Sequence, residues 1–595
     1  MSRVAAHASR AVRRAPAWKV AGKRPSALSI CNSSVQSLRH YSGGRRPSFL
    51  PAALQTSMHL RNFSVAVIST AVASGAWYAY NGDAKVQSLA THIRGFASSA
   101  INSAHAEDPS DSTRRALLVS NDQFYTATLS GDQPLAKTTD DSDRRVLNML
   151  TPEQATEKLR KNEESYLVNR GKGVVRYDIV QVPSNSPIED DHAEMIVEVP
   201  SDVAGNTNGD PNSDWNFWAV FDGHSGWTTS AKLRNVLISY VARELNATYK
   251  AAAADPSVLV PTSEAVDAAI KLGFVRLDDD IVNASVDKVL KAKSRRVAAE
   301  LLAPALSGSC ALLSFYDSHS KNLKVAVAGD SRVVLGRRGS SGKWTATALS
   351  EDQTGGTPSE IKRLREEHPG EPYVTRNGRI LGQLEPSRSF GDATYKWTKD
   401  IQDKIKQQFF GRTPSPPPEN SPPMLPLSLL SLPPRSILRK ATSSSWLRTM
   451  LSNEEVVGLV GSWLEQQQSG NGGSKAWLQS WFGFDQKKLP VEATNDASGE
   501  GQRRPIRQQQ YDISGAESRF VVEDKNVATH LVRNAMGGKD KDMVSALLTL
   551  PSPYSRRYRD DVTVEVIFFG QGPDSRTVEV NKEASAAEET LKSKL

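Results

Sequence analysis

Apolar positions in this chain fall into short runs and helical stripes separated by polar turns. Phe217-Trp-Ala-Val-Phe221 is a continuous apolar run that stops at Asp222-Gly223, the pattern of a buried strand. Ile179-Val-Gln-Val182, Met195-Ile-Val-Glu-Val199, Cys310–Tyr316, Leu323–Ala328 and Val562–Phe569 predict further strands. Between them, Leu233, Val236, Leu237, Tyr240, Val241 and Leu245 recur at helical spacing, and predict a helix after Gly226. Strand runs interleaved with helices predict an α+β fold. Residues 204–213 carry turn chemistry, and 81–115 are small and polar, as in a linker. A domain over 116–572 follows, interrupted at 466–518 by a Gln-, Gly-, Ser- and Asn-rich stretch expected to be a flexible insertion, with 573–595 as a tail.

Charge changes the picture at the N-terminus. The net charge is +8, yet residues 1–80 hold 11 Lys and Arg and the first acid is Asp83. Without them 63 cations face 66 acids, so the folded body is slightly acidic and gives no argument for nucleic-acid binding. An Arg-rich, acid-free leader has the composition of a mitochondrial transit peptide, and Arg3, Arg10 and Arg14 share one helical face. Arg39-His-Tyr-Ser42 resembles a matrix-peptidase site, which assigns 1–41 to the removed segment. Phe63–Tyr80 runs 18 residues without a charge and ends in aromatics. At about 1.5 Å per residue it spans roughly 27 Å, enough for a single inner-membrane anchor; the alternative is that it merely continues the leader. The two cysteines, Cys31 and Cys310, give the body no disulfide framework.

Seven segments carry candidate chemistry in a fixed order: Pro187-Ile-Glu-Asp190, Asp222-Gly-His-Ser-Gly226, Ser307-Gly-Ser-Cys310 with Gly329-Asp-Ser-Arg332, Gly378-Arg-Ile-Leu-Gly382, Ser387-Arg-Ser-Phe-Gly-Asp392 and Arg559-Asp-Asp-Val-Thr563. Any one of them could be an ordinary turn. Together and in this order they resemble the type 2C family of metal-dependent serine/threonine protein phosphatases. The likeness is strongest to its mitochondrial pyruvate dehydrogenase phosphatase branch, whose fungal members Asp352-Gln-Thr-Gly355 and Glu367-His-Pro-Gly-Glu371 also resemble. The resemblance implies a β-sandwich of two antiparallel sheets flanked by helix layers.

It also implies the chemistry: phosphate monoester hydrolysis by water activated on two Mg²⁺ or Mn²⁺ ions, with a third ion in some members. By correspondence Asp222 bridges the metals, the Gly223 carbonyl binds one and Asp560 the other. Glu189 and Asp190 orient bound waters, His224 is the general acid for the leaving oxygen, and Asp330 lies at the weaker third site. Oxygen-only ligands suit Mg²⁺ or Mn²⁺ rather than zinc. The implied partner is a phosphoprotein, pyruvate dehydrogenase for this branch.

Two departures stand out. Many family members carry a phosphate-gripping Arg where this chain has Asn185, and an amide cannot supply a charged bidentate fork. Substrate binding at Asn185 is therefore expected to lean on the metals. The second departure is a missing metal Asp, expected in an Ala-Ser-Asp-Gly-Leu-Trp motif between about 420 and 450; no Asp or Glu occurs from Ser421 to Ser452. Residues 424–449 read either as a Pro/Ser-rich linker or as family sequence one base out of frame. Codons ATG CTA CCG CTG AGC CT for Met424–Leu429, preceded by a T, give Tyr-Ala-Thr-Ala-Glu-Pro, the expected phrase. With Pro426, Pro433 and Pro434 the stretch is expected to form an irregular loop, leaving a gap where the Asp-bearing strand belongs.

The alternative reading from another class is a catalytically impaired phosphatase-fold protein that regulates or binds; a hydrolase of small phosphoesters is a third. The leader makes its own prediction. N-terminal sequencing of the protein recovered from mitochondria should start near Ser42; an intact Met1 there would contradict cleavage, and an exclusively cytosolic pool would contradict import.

Overall fold

The computed structural model describes residues 12–14, 113–119, 124–130, 145–200, 212–255, 257–258, 260–410, 428–432, 438–443, 450–470, 489–492 and 519–586. The expected anchor at 63–80 and most of the expected insertion at 466–518 lie outside them. Among the described residues no helix is long and apolar enough to cross a membrane.

Two large sheets form the centre. The first runs in the order Val12–Arg14, Asp191–Pro200, Asn212–Phe221, Ala311–Asp317, Asn322–Ala328, Ser428–Leu432, antiparallel except at its first pair. The second runs Trp344–Ala348, Arg332–Arg338, Leu438–Ser443, Val562–Phe569, Val174–Val182, Glu163–Arg170, Asp574–Val580, antiparallel throughout.

Strand period two explains how they stack. In Asn212–Phe221, Trp218 points between the sheets, where it meets Tyr177, Ile179, Leu312, Ile567 and Phe569. Phe217, Ala219 and Phe221 point the other way, onto helices Thr228–Ala253, Ser263–Asp279 and Arg295–Leu306. Leu233, Leu237, Val241 and Leu245 are the buried stripe of the first helix, with Val236 and Tyr240 partly buried beside it. Val562–Phe569 alternates likewise. Val562, Val564, Val566 and Phe568 meet helices Pro152–Arg160, Asn453–Gly470, Val527–Met536 and Lys541–Thr549. Fully burying side chains of this size contributes about 1.5–3 kcal/mol each. The sandwich between helix layers is thus the expected architecture, held across the sheets by a bidentate ion pair from Arg170 to Asp214 at 2.6 and 2.8 Å.

Two expectations fail. Residues 424–449 do not form an irregular loop throughout: Ser428–Leu432 extends the first sheet at Asn322–Ala328, and Leu438–Ser443 lies between Arg332–Arg338 and Val562–Phe569. The physical reason is that ladder bonds use backbone groups every residue type carries, and the flanking strands would otherwise leave theirs unpaired. Pro426, Pro433 and Pro434 fall outside both strands, so their missing donors do not interrupt either ladder. The expected tail also fails. Asp574–Val580 pairs with Glu163–Arg170, and its polar sequence hides an edge strand in which Val578 alone is buried.

Candidate active site

Strand register gathers the acidic motifs at one end of the sandwich. Asp191 pairs with Phe221, so Asp190 and Asp222 flank that pair at neighbouring strand ends. Val562 pairs with Val182, which sets Asp560 and Asp561 beside the 183–190 loop. Thr563 reaches across the sandwich and donates to Asp190 Oδ2 at 2.8 Å.

Asp561 fixes that loop. Its Oδ1 accepts from the Ser184 and Asn185 backbone N–H groups at 2.5 and 2.9 Å, and its Oδ2 from the Glu189 N–H at 2.9 Å. The Arg559 guanidinium, buried, donates to the Pro183 carbonyl at 2.6 Å. Glu189 is held by the Gly226 N–H at 2.7 Å and by Asn185 Nδ2 at 2.9 Å. Asn185 Nδ2 also stands 3.0 Å from Asp561 Oδ2, so its amide donors are spent on two carboxylates. Gly223 is required where it stands, because a Cβ there would collide with the Glu189 carbonyl.

His224 sits on a small three-stranded sheet: Gly223–His224 pairs with Gly308–Ser309, which pairs with Phe390–Gly391. This joins three of the sequence motifs and brings His224 Nε2 to 2.7 Å from Asp392 Oδ2. Ser389 Oγ donates to the same oxygen at its short distance. A Cβ on Gly308 would collide with both members of the pair. Asp392 adopts φ 46°, a left-handed conformation that Asp tolerates better than most residues. Asp330 accepts from the buried Cys310 thiol at 3.3 Å.

The electrostatics are lopsided. Burial pushes Asp190 well above the usual carboxylate range, and Asp222, Asp561 and Asp560 push it further. Burial also raises Glu189 and Asp560, in both cases against the pull of Arg556. At His224 burial favours the neutral ring, but the charge and hydrogen bond of Asp392, with Asp222 and Asp330 behind it, push the imidazole up to about 9. Burial likewise opposes the Asp392 charge, and His224 wins there too, holding Asp392 below its ordinary value.

Crowded, half-buried carboxylates short of positive charge are donors of the right kind for a hard divalent cation. Among the described residues, however, no three Asp, Glu, His or Cys side chains converge around one point. The strand from the acid-free segment, Leu438–Ser443, supplies no carboxylate of its own. The donor chemistry suits a hard divalent cation, although the described side chains do not close around one.

The site includes residues that sequence reasoning missed. Asp392 was visible only as the last letter of the Ser-Arg-Ser-Phe-Gly-Asp motif, Asp561 as the second acid of Arg-Asp-Asp, and Arg556 carried no signal at all.

The Protein phosphatase 2C family model matches residues 197–418. The chain is 40% identical over 464 residues to the mitochondrial pyruvate dehydrogenase (acetyl-transferring)-phosphatase 1 of Saccharomyces cerevisiae, covering 75% of this chain and 77% of that protein. It is 41% identical over 427 residues to a protein phosphatase 2C homolog of Schizosaccharomyces pombe, covering 70% of this chain and 85% of the relative. The Homo sapiens mitochondrial pyruvate dehydrogenase (acetyl-transferring)-phosphatase 1 is 28% identical over 493 residues, covering 71% and 83%.

The His224–Asp392 pair makes a prediction for protein held in excess EDTA. The His224 ring should titrate near pH 9 by proton NMR, and in Asp392→Asn, with burial left and the charge gone, it should titrate lower. A raised folded pKa means the pair stabilises fully below the unfolded value of about 6.5 and loses this as pH rises through about 9. The stability gap between the two proteins should therefore narrow in alkali. An unmoved His224 titration would contradict the pairing.

Proposed function

The chain belongs to the protein phosphatase 2C family, hydrolases that remove phosphate from protein serine and threonine, and from that premise we propose that it is a mitochondrial, Mg²⁺- or Mn²⁺-dependent phosphatase acting on pyruvate dehydrogenase. The observation that supports the chemistry is that strand register brings Glu189, Asp190, Asp222 and Asp560 to the same end of the sandwich, near enough for Asp222 and Asp560 to disfavour the Asp190 charge, with the His224–Asp392 pair at the same end. The substrate follows the printed names of the yeast and human relatives. The location follows the same relatives and the acid-free Arg-rich leader, read as a transit peptide over 1–41.

Asp222, the Gly223 carbonyl and Asp560 would hold the cations, with Asp330 near a third. When bound, such ions neutralise the phosphoryl oxygens and make water acidic enough to attack. The remaining work falls to this chain's side chains. Glu189 and Asp190, fixed by Asn185, Gly226 and Thr563, accept hydrogen bonds from water and align it in line with phosphorus. His224, kept protonated by Asp392, hands its proton to the departing serine or threonine oxygen. Asp392 then steadies the ring in the orientation that allows reprotonation.

A second reading, a phosphatase-fold regulator with impaired catalysis, is favoured by one observation: residues 421–452 hold no acid, although a strand from this segment lies centrally in the second sheet. We assign the deficit to a reading frame displaced by one base over 424–449. The two readings separate in one assay on phosphoserine peptides with Mn²⁺. The chain as it stands should hydrolyse them poorly and a frame-restored chain well, with nearly all turnover lost in Asp222→Asn and in excess EDTA. Undiminished activity in EDTA would contradict metal dependence, and full activity of the unaltered chain would contradict the frame assignment.

A further inference from the structure

We infer that Arg556 is the guanidinium that grips the substrate phosphate in this chain, taking the place that the amide at position 185 cannot fill. The inference rests on the phosphatase reading above. Both donors of the Asn185 amide are committed, to Glu189 at 2.9 Å and to Asp561 at 3.0 Å, so the residue is part of the loop's framework. Arg556 lies on the short turn Tyr554–Arg557, just before Asp560. Its Nη1 stands 2.7 Å from Asp560 Oδ1 and 3.3 Å from Glu189 Oε2, which places a permanent cation among the acids. Both contacts run through Nη1. Nε and Nη2 have no partner among the described residues, and the side chain is 39% exposed, so an incoming anion can reach them. A phosphate dianion offers several terminal oxygens, and a guanidinium can meet two with parallel N–H bonds.

The turn is held firmly enough to aim the group. Ser555 Oγ donates to the Ser184 carbonyl at 2.5 Å, and Arg559 on the far side of the turn binds the Pro183 carbonyl. The same loop carries Asn185 and Glu189, so Arg556 and the acids share one rigid mounting. The guanidinium thus enters from the C-terminal end of the domain, whereas position 185 would have presented it from the N-terminal end.

The test uses the full chain with inorganic phosphate as probe, by calorimetry at saturating Mn²⁺, together with Mn²⁺ titrations of the same proteins. Arg556→Ala should weaken phosphate binding roughly ten- to hundredfold, as loss of charge-assisted bonds implies, without weakening Mn²⁺. Arg556→Lys should fall between, since it keeps the charge but not the fork. Adding Asn185→Arg to Arg556→Ala should restore much of the phosphate affinity. Unchanged phosphate affinity in Arg556→Ala would overturn the inference. So would a loss of Mn²⁺ affinity parallel to that of phosphate, the mark of a residue that only shapes the acids. Phosphate binding by the unaltered chain that ignores Mn²⁺ would instead overturn the metal-assisted reading, and this inference with it.

Discussion

The rest of this structure depends on a crowding of carboxylates that the protein alone leaves under-neutralised. Asp190 is buried beside Asp222, Asp560 and Asp561, and burial with mutual repulsion drives its charged form far uphill. Removing one carboxylate from water without a partner is expensive, and several together more so. Arg556 offsets part of this at Glu189 and Asp560 but leaves Asp190 pushed up. A site of this kind stores an affinity for positive charge; at His224 burial opposes the charged ring, but Asp392, with a smaller push from Asp222 and Asp330, favours it.

Such a cluster persists because the surrounding fold gives it little room to relax. Two sheets share an interior built on Trp218, Tyr177, Ile567 and Phe569, and the acids sit at the ends of its strands. Asp561 grips three backbone N–H groups of the 184–189 loop, so the loop cannot swing Glu189 away from its neighbours without leaving that carboxylate unpaired. At Gly223 and Gly308 the backbone approaches so closely that no side chain fits. Local strain at Asp392 is of the sort that a rigid frame can maintain at a functional position.

Much of this was legible in the residues. Apolar runs and the stripe from Leu233 to Leu245 foretold the central strands and the first long helix, because both are buried on a regular period. The acidic motifs pointed to one site because each lies at a strand end. What escaped was of two kinds. Asp574–Val580 and Leu438–Ser443 are held by backbone ladders rather than by an apolar pattern, so their side chains announce nothing. The partnership of His224 with Asp392, 168 residues apart, and the place of Arg556 arise only from tertiary pairing. Proline content misled at 424–449 because Pro426, Pro433 and Pro434 all fall outside the two strands.

The claim that the acid cluster exists to take up divalent cations can be tested directly by anomalous diffraction at the manganese edge, on crystals of the full chain soaked with Mn²⁺. The account predicts a peak flanked by the Asp222 carboxylate, the Gly223 carbonyl and Asp560, with the Asp560–Arg556 pair opened. Manganese found only elsewhere, or an acid cluster unchanged and without a peak at saturating Mn²⁺, would contradict it.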